Sequence, residues 1–184
     1  MHLRDLVLEI PQVPTNIYDL HTAVMAFMHP DRRDATRDFI FTLDPVAEQD
    51  GDALVIIRSR TFPAGLHGAS VEIPKRRQPF DFALRGMPVY SEGGKRPAIR
   101  DPERQVDWML REASKAGFIV QDLDDPIQTD RLMCTRGRQT WLNDVVFTGS
   151  GVMVNPTAFQ HQIAIGMGRG RAYGYGLLRW HPTA

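Results

Sequence analysis

Leu6, Leu8 and Ile10 share one face of an extended segment near the amino end, the two-residue period of a half-buried strand, and Pro11 and Pro14 close it. Ile17, Leu20, Val24, Phe27 and Met28 then recur at helical spacing, with Thr15 or Asn16 to cap the start and Pro30 to forbid continuation. Phe39, Phe41 and Leu43 alternate again, residues 53–60 read as a buried strand, and Phe80, Phe82 and Leu84 predict a further strand after a weaker stretch. In the second half, Asp101-Pro102 is a capping side chain followed by proline at the first helical position. Val106, Met109, Leu110 and Ala113 form the apolar stripe of that helix before Gly117 ends it. Strand-like stretches follow at 118–123, 139–148 and 151–154. Asn155-Pro156 opens a short helix, a glycine-rich loop follows Gly166, and residues 175–180 read as a closing strand.

Strands outnumber helices in both halves, and the order repeats. This predicts an α+β fold of two tandem ferredoxin-like (RRM-type) units, residues 1–92 and 93–184, with the break in the Ser-Glu-Gly-Gly-Lys-Arg-Pro stretch at 91–97.

With 42% hydrophobic and 24% charged residues among 184, the chain can bury a sizeable core, and it has no low-complexity tract that would argue for disorder. The lone Cys134 excludes an intramolecular disulfide and a cysteine-rich zinc site. The histidines, at 2, 21, 29, 67, 161 and 181, show no HxH or HExxH spacing, so neither metal nor cofactor is expected. Charges at Arg4 and Asp5 interrupt what a signal peptide needs, and the run from Ala53 to Ile57 is far short of the roughly 20 apolar residues of a membrane span. The expectation is a cytoplasmic protein without a membrane partner.

Formal charge balances at 22 basic against 22 acidic residues, yet from Ile127 onward six arginines face only Asp130 and Asp144. Local basic loops can bind a polyanion whatever the net charge, because phosphate contacts set that affinity. The stretch from Gly166 to Gly176 combines five glycines with Arg169 and Arg171 and matches neither GxxxxGK[ST] nor GxGxxG. It is either a polyanion site, with backbone amides and forked donors close to a phosphodiester, or a tight surface turn. Arg131, Arg136 and Arg138 bracket the turn at 135–137 and describe either a basic hairpin for the groove of an RNA stem or a solvated turn. Lys75-Arg76-Arg77 reads as surface charge, and Trp108 and Trp141 as core.

The pattern Gly166-x-Gly168-x-x-Arg171-x-x-Gly174-x-Gly176-Leu177-Leu178 resembles the terminal signature of the CasE family, the CRISPR repeat-processing endoribonucleases of type I-E Cascade. Pro30, Arg32, Asp34-Ala35 and Arg37-Asp38-Phe39-x-Phe41 are similar to the family's segment after its first helix. Phe82-x-Leu84-Arg85-x-x-Pro88, then Gly94-Lys95-Arg96, resemble its mid-chain strand and basic loop, although Gly86-Met87 stands where the family has Ala-Asn. The resemblance implies tandem ferredoxin-like domains that bind a precursor CRISPR RNA repeat hairpin, cut at the 3′ base of its stem without metal, and stay in a Cascade complex with other subunits. It places the family's active-site Tyr and His at Tyr18 and His21. It matches Lys95 and Arg96 to the family's basic loop; with the hairpin and glycine-loop readings above, the expected RNA contacts are Lys95, Arg96, Arg131, Arg136, Arg138, Gly166, Gly168, Arg169, Arg171 and Gly174.

Elementary chemistry agrees with that placement. Residues three apart share a helix face, and an imidazole exchanges protons near neutral pH, so a histidine can take a proton from a ribose 2′-OH or give one to a departing 5′-oxygen. RNA supplies its own nucleophile. The expected products are a 2′,3′-cyclic phosphate and a 5′-OH, with cations stabilising the phosphorane. The same sequence also suits a non-catalytic hairpin-binding subunit, or a small-molecule phosphate binder built on the glycine loop.

Overall fold

The structure is a computed structural model that describes residues 2–30, 37–49 and 53–183. Arg32, Asp34 and Ala35 lie outside the described residues. In chain order the elements are β1 (Arg4–Glu9), α1 (Ile17–Met28), β2 (Phe39–Leu43), α2 (Pro45–Gln49), β3 (Leu54–Ser59), β4 (Ala69–Ser70), β5 (Pro79–Gly86), α3 (Pro102–Ala116), β6 (Phe118–Leu123), β7 (Ile127–Thr135), β8 (Arg138–Met153), α4 (Pro156–Ile165) and β9 (Leu178–Pro182).

Three helices start as the sequence predicts. The side chains of Asn16, Asp101 and Asn155 accept the amides of Tyr18, Arg104 and Ala158, satisfying donors that the first turn leaves open. Gly117 ends α3 in the left-handed region, at φ 84°. The short α2, absent from the sequence reading, carries the same Asp-Pro signal at Asp44-Pro45, where Asp44 caps the amide of Val46.

The strands form two antiparallel sheets. The first runs β2-β3-β1-β4 and the second β6-β8-β5-β9, with β7 added as a hairpin on β8. Both follow the ferredoxin-like order; the second keeps both crossover helices, whereas β3 and β4 are joined by a loop without one. The α+β expectation holds, but the sheets do not divide at 91–97. The strand at 80–84, expected in the first unit, pairs with β8 and β9 of the second. Alternation identifies a strand but not its partner, and the first sheet's true last strand, β4, is two exposed residues with no pattern to read. The chain therefore changes sheets between Ser70 and Pro79.

One face of the first sheet packs Phe39, Phe41, Leu43, Val55 and Ile57 on Ile17, Leu20, Val24 and Met28 of α1. In the second unit Phe80, Phe82, Leu84, Val145 and Phe147 meet Trp108, Met109 and Ala113 of α3 and Phe159 and Ile163 of α4. Each such side chain contributes roughly 1.5–3 kcal/mol on burial. The other face of the first sheet receives the second unit: Ile40 and Ile56 hold Leu177, and buried Arg58 donates to the Leu178 carbonyl and to Asp5.

Candidate active site

Tyr18 and His21 lie on α1 beside its buried stripe, because positions three apart share a face and that face borders the row Ile17, Leu20, Val24. Their rings are 5.6 Å apart. Tyr18 is exposed, whereas His21 is half-buried, covered by the carboxyl-terminal segment. A 3-10 turn over Arg171–Tyr173 lays its backbone against α1. The Ala172 carbonyl sits 2.7 Å from Nδ1 of His21, and the Tyr173 ring meets the imidazole edge-on at 5.7 Å.

This contact determines the imidazole's chemistry. A carbonyl oxygen only accepts, so Nδ1 must carry the hydrogen, and a neutral ring then keeps its lone pair at Nε2. The turn fixes both ring orientation and tautomer, as a base needs if one defined nitrogen is to face a substrate. Tyr173 was not singled out from the sequence, although it lies within the glycine-rich signature; Gly170 and Gly174, flanking the 3-10 turn, are what fold it back onto α1.

Two groups of the expected RNA contacts have partners within the protein. The glycines of the loop shape it inward. The amides of Gly166, Met167, Gly168, Tyr173, Tyr175 and Gly176 donate to Gln162, Gly176, Glu112, Gly170, Gly170 and Arg85 respectively, so most of the loop offers no amide cradle to a phosphate. A Cβ at Gly168 would lie 2.6 Å from the Trp108 ring, and one at Gly174, φ 88°, would lie 3.2 Å from Phe41. Gly166, Gly168 and Gly174 thus shape the turn and position its arginines. Arg131 is also committed: Nε is 2.5 Å from Asp144, and a terminal nitrogen bonds Glu48. Arg85 bridges the same two carboxylates. Burial works against the charged form of Glu48, yet the guanidiniums of Arg85 and Arg131 outweigh it and hold the carboxyl below its ordinary range.

Other expected contacts are open. Arg136 and Arg138 stand exposed at the tip of the β7–β8 hairpin, whose two-residue turn has left-handed Arg136 and Gly137 at φ 46° and 78°. Lys95 and Arg96 are exposed on a small loop, and Arg169 on the glycine-rich one. None of these five has an ion-pair partner among the described residues. Arg171 is partly exposed and donates to the Ile165 carbonyl. The hairpin is clipped to α1, since Asn16 accepts from the Cys134 amide at 2.8 Å and donates to its carbonyl. Trp108 is core, stacked on Phe147, but Trp141 is 62% exposed. It shares its face of β8 with Asn143 and Val145, both buried, so its exposure comes from its place near the hairpin tip rather than from the face it points to. Lys75, Arg76 and Arg77 are solvated.

A double ferredoxin-like protein that presents a tautomer-fixed imidazole next to an exposed tyrosine, with unpaired basic side chains on its loops, is thus defined by its geometry. The chain belongs to the CRISPR associated protein family, whose model matches residues 1–182. The fold is similar to that of the CRISPR endoribonuclease Cse3 bound to a 19-nucleotide RNA, with TM-score 0.79, 21% identity and coverage of 99% of this chain and 100% of that one. It is also similar to CRISPR-associated Cas6e from Escherichia coli K-12, with TM-score 0.73, 20% identity and full coverage of both chains. A chain of a CRISPR RNA-guided surveillance complex superposes with TM-score 0.66 and 18% identity, again over all of both chains. No curated protein sequence matches. Among the described residues no helix is long and apolar enough to cross a membrane.

Proposed function

We propose that this chain is a metal-independent endoribonuclease that binds the repeat stem-loop of precursor CRISPR RNA, cleaves at the 3′ base of the stem and retains the product within a Cascade-type complex in the cytoplasm. The hydrogen bond from His21 Nδ1 to the Ala172 carbonyl carries the reading, because it leaves Nε2 as the accepting atom of a half-buried imidazole next to the exposed Tyr18. Family membership and the RNA-bound and complex-bound folds it resembles support the substrate and the partners.

In the proposed reaction Nε2 of His21 takes the proton of the ribose 2′-OH as that oxygen attacks the adjacent phosphorus. Tyr18 donates a hydrogen bond that orients the phosphate or the nucleophile. Collapse of the phosphorane breaks the bond to the 5′-oxygen, which receives the proton from the imidazolium. The products are a 2′,3′-cyclic phosphate and a 5′-OH. Arg136, Arg138, Lys95, Arg96, Arg169 and Arg171 supply the phosphate contacts. Incubation of the protein with its repeat RNA in excess chelator is expected to yield those ends, and a 2′-deoxy substitution at the cut site is expected to bind but remain intact. Loss of cleavage in chelator, or cleavage of the deoxy substrate, contradicts the mechanism.

A further inference from the structure

The 3-10 turn that holds His21 also holds a cation. The Arg171 carbonyl accepts from a terminal nitrogen of Arg37 at 2.6 Å, and the next carbonyl, Ala172, accepts from His21 at 2.7 Å. Adjoining residues are about 3.8 Å apart at Cα, so one turn places a guanidinium from just ahead of β2 and an imidazole from α1 side by side. The turn is closed by the Tyr173 amide on the Gly170 carbonyl, which makes it a rigid mount.

Arg37 is in an unusual position for a structural arginine. It is half-buried, and its neighbour charge is Arg171, so burial and then that like charge both push its pKa down. Among the described residues neither guanidinium has a carboxylate partner, and each makes a single hydrogen bond, to a backbone carbonyl. The adjacent Asp38 is turned to Thr61 and His29 instead. Two partly buried guanidiniums near enough to repel, with no carboxylate on either among the described residues, cost free energy that a bound anion would recover, and most of their donors remain available.

We infer that Arg37, paired with Arg171, is a catalytic residue that receives a non-bridging oxygen of the scissile phosphate next to the His21 base. The inference rests on the endoribonuclease reading and names a group that stabilises its transition state. A planar fork suits a phosphate oxygen pair, and the negative charge that grows on the phosphorane makes the contact stronger in the transition state than in the bound substrate.

The test is single-turnover cleavage of the repeat hairpin at saturating protein by wild type, Arg37→Gln and Arg37→Lys, each with a phosphate or a phosphorothioate at the cut site. Arg37→Gln is expected to lose about 10²–10³ in rate with hairpin affinity changed only a few-fold. Arg37→Lys should recover part of that rate. Sulfur should slow the wild type more than Arg37→Gln, because the oxygen contact is already gone in the variant. Wild-type rate in Arg37→Gln, or a slow variant whose sulfur effect is undiminished, overturns the inference. Should Arg37→Gln unfold, the sulfur effect in Arg37→Lys decides alone. His21→Ala, run alongside, separates the two claims: if it still cleaves, the functional reading fails, whereas loss in His21→Ala with full rate in Arg37→Gln removes only this assignment.

Discussion

His21 owes its proposed role to a single neighbour. The Ala172 carbonyl at 2.7 Å makes Nδ1 the protonated nitrogen, so nitrogen-resolved NMR of the neutral imidazole is expected to show the hydrogen on Nδ1 and a free Nε2. The opposite tautomer would leave the base facing its own backbone. Tyr18→Phe removes a hydrogen-bond donor and keeps the ring, and should lower the single-turnover rate with little change in hairpin affinity. That Tyr18 and His21 share a face was legible from helical periodicity, whereas their selection as site residues came from the family resemblance. The surroundings of Arg131 and Trp141 were not legible, since two-residue alternation groups positions into faces without saying which positions along a face the rest of the protein covers. Arg131 is held by Asp144 and Glu48, and Trp141 is left exposed near the hairpin tip. Arg37 stood in the sequence only as part of a family-like segment, because its role lies in a contact with a residue 134 positions away.

Hairpin and helix are the elements that must be held together. Asn16 does this twice over, capping α1 through the Tyr18 amide and pairing with both backbone groups of Cys134 on β7. Asn16→Ala should cost about 0.5–2 kcal/mol from the lost cap and lower hairpin affinity by freeing the arginine-bearing tip, read from denaturant unfolding and from binding. Arg136→Ala and Arg138→Ala should each weaken RNA binding and reduce the salt slope by about 1 while leaving stability unchanged. A stability loss without a change in slope would make them structural. The cap at Asn16 and the turn at 135–137 could be read from residue chemistry alone. Membership of β5 in the second sheet could not, because pairing is decided by long-range contacts that alternation does not encode.

Across the whole molecule the two units meet through charge as well as apolar surface. Glu48 of α2 in the first unit and Asp144 of β8 in the second share Arg85 and Arg131, and Arg85 and Asp144 are almost wholly buried. Removing one partner strands a buried charge, so Asp144→Ala is expected to destabilise the protein by about 3–5 kcal/mol. Glu48 has its carboxyl pKa depressed in the folded state, so its contribution is present above the unfolded carboxylate value and is lost as pH falls through the acid range. Wild type should therefore lose stability on acidification more steeply than Glu48→Gln, as thermal unfolding between neutral and acid pH would show. Equal slopes would mean that this network carries no acid sensitivity. The central claim is that one imidazole on α1 performs the chemistry on a bound repeat hairpin, and the most direct measurement is single-turnover cleavage by His21→Ala with hairpin affinity determined on the same preparation. The account predicts near-wild-type binding and no detectable product; undiminished cleavage by that variant would contradict it.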